Sequence, residues 1–280
     1  MNRILLLLFL VLITSCADLA RNPASSNKIR HIVFDIDWTL TSEVKTDMQG
    51  PRIISVEGKK YFIMNGVEEF VEDLLSRKYT KISFFSGGSK ERNHVLLQKI
   101  KLSDGRSLEE IAFKILNRED LTTSPGALAT DKFSVRFKKD LTKISKDLSE
   151  LIMIDDTENF TLNNSQNEHV IGLGKTYEYF KTFQASTEAV GEYVPRSIDE
   201  WSFAKYKLSI IHGAVNSALR ESEEQGINLS EAIQIEKTQL NLASNQWNDY
   251  SNKMYEQSRR LSKQKSSATC LQLMTSFIDI

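Results

Sequence analysis

In Ile32-Val33-Phe34-Asp35-Ile36-Asp37-Trp38-Thr39-Leu40-Thr41, a short apolar run ends in two carboxylates separated by one residue. The β-branched and aromatic run reads as a buried strand, so Asp35 and Asp37 emerge where that strand gives way to a turn. Alternate residues of a strand share a face, although a turn starting here lets the second side chain swing around the first. Alone, an Asp-x-Asp-x-Thr string is also compatible with a plain turn followed by a helix cap. The rest of the chain has to separate the two.

Outward from this segment, short apolar runs alternate with amphipathic stretches, the pattern of an α/β fold in which helices cover a parallel sheet. Lys81 to Phe85, Leu151 to Ile154 and Val170 to Leu173 are further strand candidates, the first two ending in small or acidic residues. Arg52 to Val56 and Lys59 to Met64 flank Glu57-Gly58, which predicts a hairpin. Val67 to Arg77 and Lys90 to Ile100 carry helical spacing, Leu108 to Ile115 is helical or mixed, and Asn117 to Thr130, with Pro125 and Gly126, predicts a loop. Beyond about Thr182 the periodicity is helical. Ser197 and Glu200 form a capping-box pair opening a helix with Phe203, Tyr206, Ile210 and Ala214 on its apolar face, ended by Gly226. A second helix is expected to carry Leu229, Ile233, Leu240, Ala243, Trp247, Tyr250, Met254 and Leu261, interrupted by Glu236 and Gln257. That stripe is compatible with packing on its own domain or with a partner-binding seam.

Three further segments join the first pair of carboxylates: Ile82-Ser83-Phe84-Phe85-Ser86-Gly87, Lys138-Lys139-Asp140-Leu141 and Ile152-Met153-Ile154-Asp155-Asp156. In this order they resemble the four motifs of the haloacid dehalogenase superfamily of aspartate-nucleophile phosphotransferases. Tyr61 to Phe70, together with Lys139-Asp140-Leu141-Thr142-Lys143-Ile144 and Leu151 to Asn159, is most similar to the branch of phosphatases related to NLI-interacting factor and to those acting on the RNA polymerase C-terminal domain. Trp38 stands where that branch usually has Glu, Asn65 where it has Pro, and Asp156 where it has Asn. The first bears on leaving-group access; the last preserves an oxygen ligand. The interval between Ser86 and Lys139 is too short for a large cap domain, so only the hairpin region is left to form a small flap.

The resemblance implies a Rossmann-like fold and a Mg²⁺-dependent phosphomonoester phosphatase. It implies Asp35 as nucleophile, Asp37 as acid and base, and Lys139 as the neutralising cation. It places Thr39, Ser86 and Gly87 at the substrate phosphate, and Asp35, Asp37 (through its carbonyl), Asp155 and Asp156 around the metal, either of the last two being the direct ligand. The chemistry is consistent: a carboxylate attacking an anionic phosphoryl group needs concentrated positive charge, and oxygen ligands suit Mg²⁺. Two adjacent carboxylates at a buried strand end also repel unless a cation compensates. His31, His94, His169 and His212 show no ligand spacing.

The N-terminus points to a location. Asn2 and Arg3 precede an apolar run, Ile4 to Ile13, too short to span a bilayer but suited to a signal-peptide core. Ile13-Thr14-Ser15-Cys16 resembles a bacterial lipobox, with Cys16 the lipidated residue. An ordinary secretory signal, with Cys16 incidental, is the other reading. The expected organisation is a lipoprotein signal at 1–16, a tether at 17–29, the phosphatase-like domain at 30–182 and a helical extension at 183–280. This makes the envelope the expected location, with a lipid anchor holding the protein on a membrane; the lipoprotein resemblance, with Ala17 rather than Asp after the cysteine, implies the outer membrane if the organism is Gram-negative, facing periplasm or exterior. The 280 residues include 36 Lys+Arg and 37 Asp+Glu, a net charge of −1, which disfavours a nucleic-acid partner. Two cysteines exclude a disulfide framework. A non-catalytic envelope protein that retains the fold and binds a partner through its C-terminal helices is the alternative function.

Overall fold

The computed structural model describes residues 28–174 and 195–276, the side chains of the last helix as far as residue 264. The signal segment, Cys16 and the expected boundary at 182 lie outside the described residues. The element order is β1 (Arg30–Phe34), β2 (Thr41–Val44), β3 (Ile53–Val56), β4 (Lys59–Ile63), α1 (Val67–Leu75), β5 (Thr80–Phe85), α2 (Lys90–Lys99), β6 (Lys114–Leu116), β7 (Thr122–Thr123), β8 (Phe137–Lys138), β9 (Leu151–Asp155), β10 (Val170–Gly172), α3 (Ile198–Gln225), α4 (Leu229–Leu240) and α5 (Asp249–Ser276), with shorter helical turns between them. Five strands form a parallel sheet in the order β10-β9-β1-β5-β6. The chain is therefore α/β, as its alternating pattern predicts.

The sheet's two faces are built differently. Ile32, Phe34, Ile82, Phe84, Ile152 and Ile154 face a large core shared with α1, α2 and the three C-terminal helices. The intervening Val33, Phe85, Leu151 and Met153 face a smaller core closed by Leu121, Leu141 and Ile144 from connecting segments. Strands buried on both faces read as nearly continuous apolar runs, which is why β1 and β9 stand out in the sequence.

The expected hairpin forms with Val56 opposite Lys59, and Glu57 and Gly58 take the positive φ values that its tight turn requires. It gains a strand that the sequence did not announce: β2, leaving the Asp-x-Asp segment directly, pairs antiparallel with β4. The hydrogen bond from Met64 N to Leu40 O (2.9 Å) ties this small sheet to the turn.

The C-terminal stripe requires a correction. The expected second helix is two, α4 and α5, separated by a turn in which Asn241 and Asn245 adopt left-handed backbone. Helix α3 is capped as predicted: Ser197 Oγ accepts from Glu200 N at 3.2 Å, and Gly226 ends the helix at φ 71°. The stripe packs inward: Leu229, Ile233, Leu240 and Met254 belong to the same core as the sheet. A Cβ on Gly213 would stand 2.1 Å from the Met254 carbonyl oxygen, so α3 and α5 are in backbone contact. Buried Lys207 joins the extension to the end of β10, donating from Nζ to Leu173 O (2.7 Å) and Asn245 Oδ1 (2.5 Å). Lys28, expected in the tether, is held by Glu150 and Asn228. No helix of the described residues is long and apolar enough to cross a membrane.

Candidate active site

The parallel sheet puts the carboxyl ends of β1, β5 and β9 side by side, where ligands of open α/β sheets bind. Asp35 follows β1 and its N–H donates to Ile154 O (2.9 Å), in register with β9, which ends at Asp155. Ser86 follows β5. Lys139 comes from the segment after β8, its backbone fixed on both sides: Lys139 N donates to Phe160 O and Leu162 N to Lys139 O, each at 2.9 Å.

These positions bring the charges together. Lys139 Nζ, 1% exposed, donates to Asp35 Oδ1 at 2.6 Å and Asp155 Oδ2 at 2.7 Å. Carboxylate oxygens of Asp35, Asp155 and Asp156 lie within 4.8 Å of one another. Burial, with Asp155, Asp37 and Asp156 adding to it against Lys139, pushes the Asp35 carboxyl well above the ordinary range. Burial, then neighbouring Asp155, raises Asp156 to about 7. Burial works against the Lys139 charge, but Asp155 and Asp35 outweigh it and hold the ammonium above its usual value. One cation thus serves three carboxylates, a surplus of negative charge that a divalent ion would balance. The all-oxygen donor set fits a hard cation.

Asp37 takes a separate position. Its carboxylate is paired with Arg92 on α2 and accepts from Ser86 Oγ at 3.2 Å. A cavity of about 270 Å³ has Asp35, Asp37, Lys139, Asp155 and Asp156 in its wall, with Gly87, Gly88, Phe133 and Phe160. A side chain on Gly88 would collide with Arg92 and Asn93, so glycine permits this close approach. Two predicted substrate contacts do not line the cavity. Thr39 is fully buried, with its Oγ1 unpaired among the described residues. Ser86 is buried, its Oγ accepting from Gly88 N–H (3.1 Å) and donating to Asp37 (3.2 Å). Gly87 does line it.

Arg92, Arg118, Phe133 and Phe160 also line this cavity and were not singled out from the sequence. Arg92 had one available signal: it lies in the first turns of the helix that directly follows the Ser86 segment, where a side chain can reach back over the strand end. Arg118 is anchored by its Nε to Gly87 O (2.9 Å) and lies over the Phe133 ring.

A parallel sheet with a buried carboxylate at the end of its central strand, a second carboxylate two residues on, a clamping lysine and an acidic pair defines the class: a haloacid dehalogenase-type phosphatase. Within it, the chain belongs to the NLI interacting factor-like phosphatase family, whose sequence profile matches residues 30–172. The solved structure of Fcp1, an essential RNA polymerase II CTD phosphatase, is 16% identical, with a TM-score of 0.41 over 79% of this chain and 72% of that one. A variant of fission yeast RNA polymerase II CTD phosphatase Fcp1, bound to beryllium fluoride, is 12% identical, with a TM-score of 0.37 over 94% of this chain and 70% of that one. No curated protein sequence matches the chain. The family implies a phosphorylated substrate.

Proposed function

We propose that the protein is a Mg²⁺-dependent phosphomonoester phosphatase working through an aspartyl-phosphate on Asp35 and held at the bacterial envelope by lipid on Cys16. The observation that carries the catalytic part is the Lys139 ammonium lying between Asp35 and Asp155 in the cavity wall.

Asp35 attacks phosphorus as the bond to the leaving oxygen breaks, and Asp37, having taken up a proton on substrate binding in place of its ion pair with Arg92, gives that proton to the leaving oxygen. Asp37, now a carboxylate, takes a proton from the water that hydrolyses the aspartyl-phosphate, returning Asp35. Arg92 and Ser86 hold Asp37 in place, and Lys139 offsets charge on Asp35 and the phosphoryl group. The Asp35, Asp155 and Asp156 carboxylates, with the Asp37 carbonyl, would hold Mg²⁺, which supplies Lewis-acid stabilisation of phosphoryl charge when bound.

Protein lacking residues 1–27 is expected to release phosphate from an aryl phosphate with Mg²⁺ and to stop in excess EDTA. Asp35→Asn is expected to lower turnover by roughly four orders of magnitude or more; full activity in that variant refutes the nucleophile assignment. The location is tested separately: Cys16→Ser in the full chain is expected to move the protein from the membrane fraction to the soluble fraction of cells, and unchanged fractionation refutes the anchor.

A further inference from the structure

We propose that Trp38 is a specificity-determining platform on which the phosphatase stacks a planar ring of the leaving group, so that ring-bearing phosphomonoesters are its preferred substrates. The inference deepens the phosphatase reading and rests on it.

Trp38 directly follows the carboxylate assigned to protonate the leaving oxygen. It lines the phosphoryl cavity and also a second, outer cavity of about 580 Å³, whose other lining residues are Asp37, Glu43, Val44, Lys45 and Arg92. Asp37, Trp38 and Arg92 are common to both, so the two spaces adjoin at these three residues. A substrate with its phosphoryl group at Asp35 and its bridging oxygen at Asp37 can extend past Trp38 into the outer space.

The turn holds the backbone of Trp38 in place. Trp38 has φ 59°, a left-handed conformation that glycine adopts freely and a bulky side chain rarely does. Such a conformation persists where its surroundings fix it, and at functional sites it is often retained for use. Here the turn fixes it: Trp38 N donates to Thr41 O at 2.6 Å, and Leu40 N and Thr41 N both donate to Ile36 O. The tryptophan is nevertheless 37% exposed, so the strain is not accompanied by full burial of its ring.

The remaining wall is charged apart from Val44. Arg92 is paired with Asp37 and Glu43 with Lys59, while the Lys45 side chain has no hydrogen-bond or ion-pair partner among the described residues. Among the described residues, Trp38 is therefore the one aromatic residue in the wall of this outer cavity, set among charged side chains and Val44. A flat ring can lie on it and leave its polar edge to the rim, whereas a flexible alkyl chain gains less from the indole and covers charge. Stacking of this kind strengthens substrate and transition state alike, and so appears in KM more than in kcat.

The test compares two substrates with similar alcohol leaving groups, 2-phenylethyl phosphate and n-hexyl phosphate, in protein lacking residues 1–27 with Mg²⁺. The parent is expected to favour the ring substrate in kcat/KM by roughly fivefold or more, a ratio in the range of one aromatic pair. Trp38→Gly, which suits the left-handed backbone while removing the ring, is expected to bring the ratio near one through KM. Trp38→Phe is expected to restore most of the preference. A merely structural tryptophan would leave the ratio unchanged in Trp38→Gly. Calorimetric binding of both phosphates to Asp35→Asn protein, with and without Trp38→Gly, reads the platform without turnover. Ring-selective binding lost in Trp38→Gly, with no hydrolysis by the parent, supports the platform and overturns the phosphatase reading. Hydrolysis with equal kcat/KM and equal affinity for the two substrates overturns the platform and leaves the phosphatase reading standing.

Discussion

Lys139→Met exchanges the one buried ammonium of the acidic cluster for an apolar chain of similar length. Lys139 is 1% exposed, and the two carboxylates it bridges are 6% and 2% exposed. Removing it strips Asp35 and Asp155 of their common partner while leaving both desolvated. Two like charges about 4 Å apart repel by about 4 kcal/mol at an effective dielectric of 20, and removing one partner of a buried ion pair costs about 3–5 kcal/mol. Urea denaturation in EDTA is therefore expected to place Lys139→Met about 4 kcal/mol below the parent. On the proposed function, magnesium is expected to reverse part of this by binding the folded cluster and not the unfolded chain. At a hundredfold excess over its dissociation constant it contributes about 2.7 kcal/mol. At one fixed magnesium concentration the gain is expected to be larger in the variant, whose site has lost a competing cation. A variant within about 1 kcal/mol of the parent in EDTA, or one gaining no more from magnesium than the parent does, would refute the argument that Lys139 holds together an electrostatically overloaded site.

Gly213→Ala forces a methyl group against the Met254 carbonyl; overpacking of this kind costs about 1–3 kcal/mol, to be seen as a lowered Tm in thermal melts. Arg92→Met frees Asp37 from its ion pair, and steady-state assays should show kcat falling roughly ten- to hundredfold through misplacement of the acid; a change confined to KM would contradict the positioning role. Burial alone would raise the Asp73 carboxyl, but His212, Arg77 and Asn216 outweigh it and hold it at about 2. A depressed carboxyl stabilises the fold above its unfolded value and loses that contribution as pH falls, so Asp73→Asn should cost about 2 kcal/mol at pH 7. Denaturation curves of parent and variant should converge as pH drops from about 4 through about 2.

Strands β1, β5 and β9 were legible because each packs on both faces and so carries an unbroken apolar signature. The acidic pairs and Lys139 were legible because they sit at fixed offsets from those strands. Strand β2 was not: Thr41-Ser42-Glu43-Val44 has little local strand character and exists by pairing with β4, a partner about twenty residues away. The break after α4 was hidden because Ala243 and Trp247 continue the apolar spacing across a turn made by two left-handed asparagines. Arg92 looked like one more cation on a polar helix, since its significance lies in reaching Asp37, 55 residues earlier. Thr39 illustrates the converse: a motif position is visible in sequence, but whether its hydroxyl meets the cavity depends on how the turn winds, and here it winds inward.

The shared core of sheet and C-terminal helices constrains how the protein is made. Ile32, Phe34 and Ile152 lie in one cluster with Phe203, Ile210, Ile233 and Met254, so a growing chain has translated every described strand long before the C-terminal helices that complete the roof on this side of the sheet leave the ribosome. During that interval a broad oily surface stands uncovered. Premature stop codons after about residue 195 are therefore expected to yield insoluble product even though every motif residue of the active centre has been synthesised.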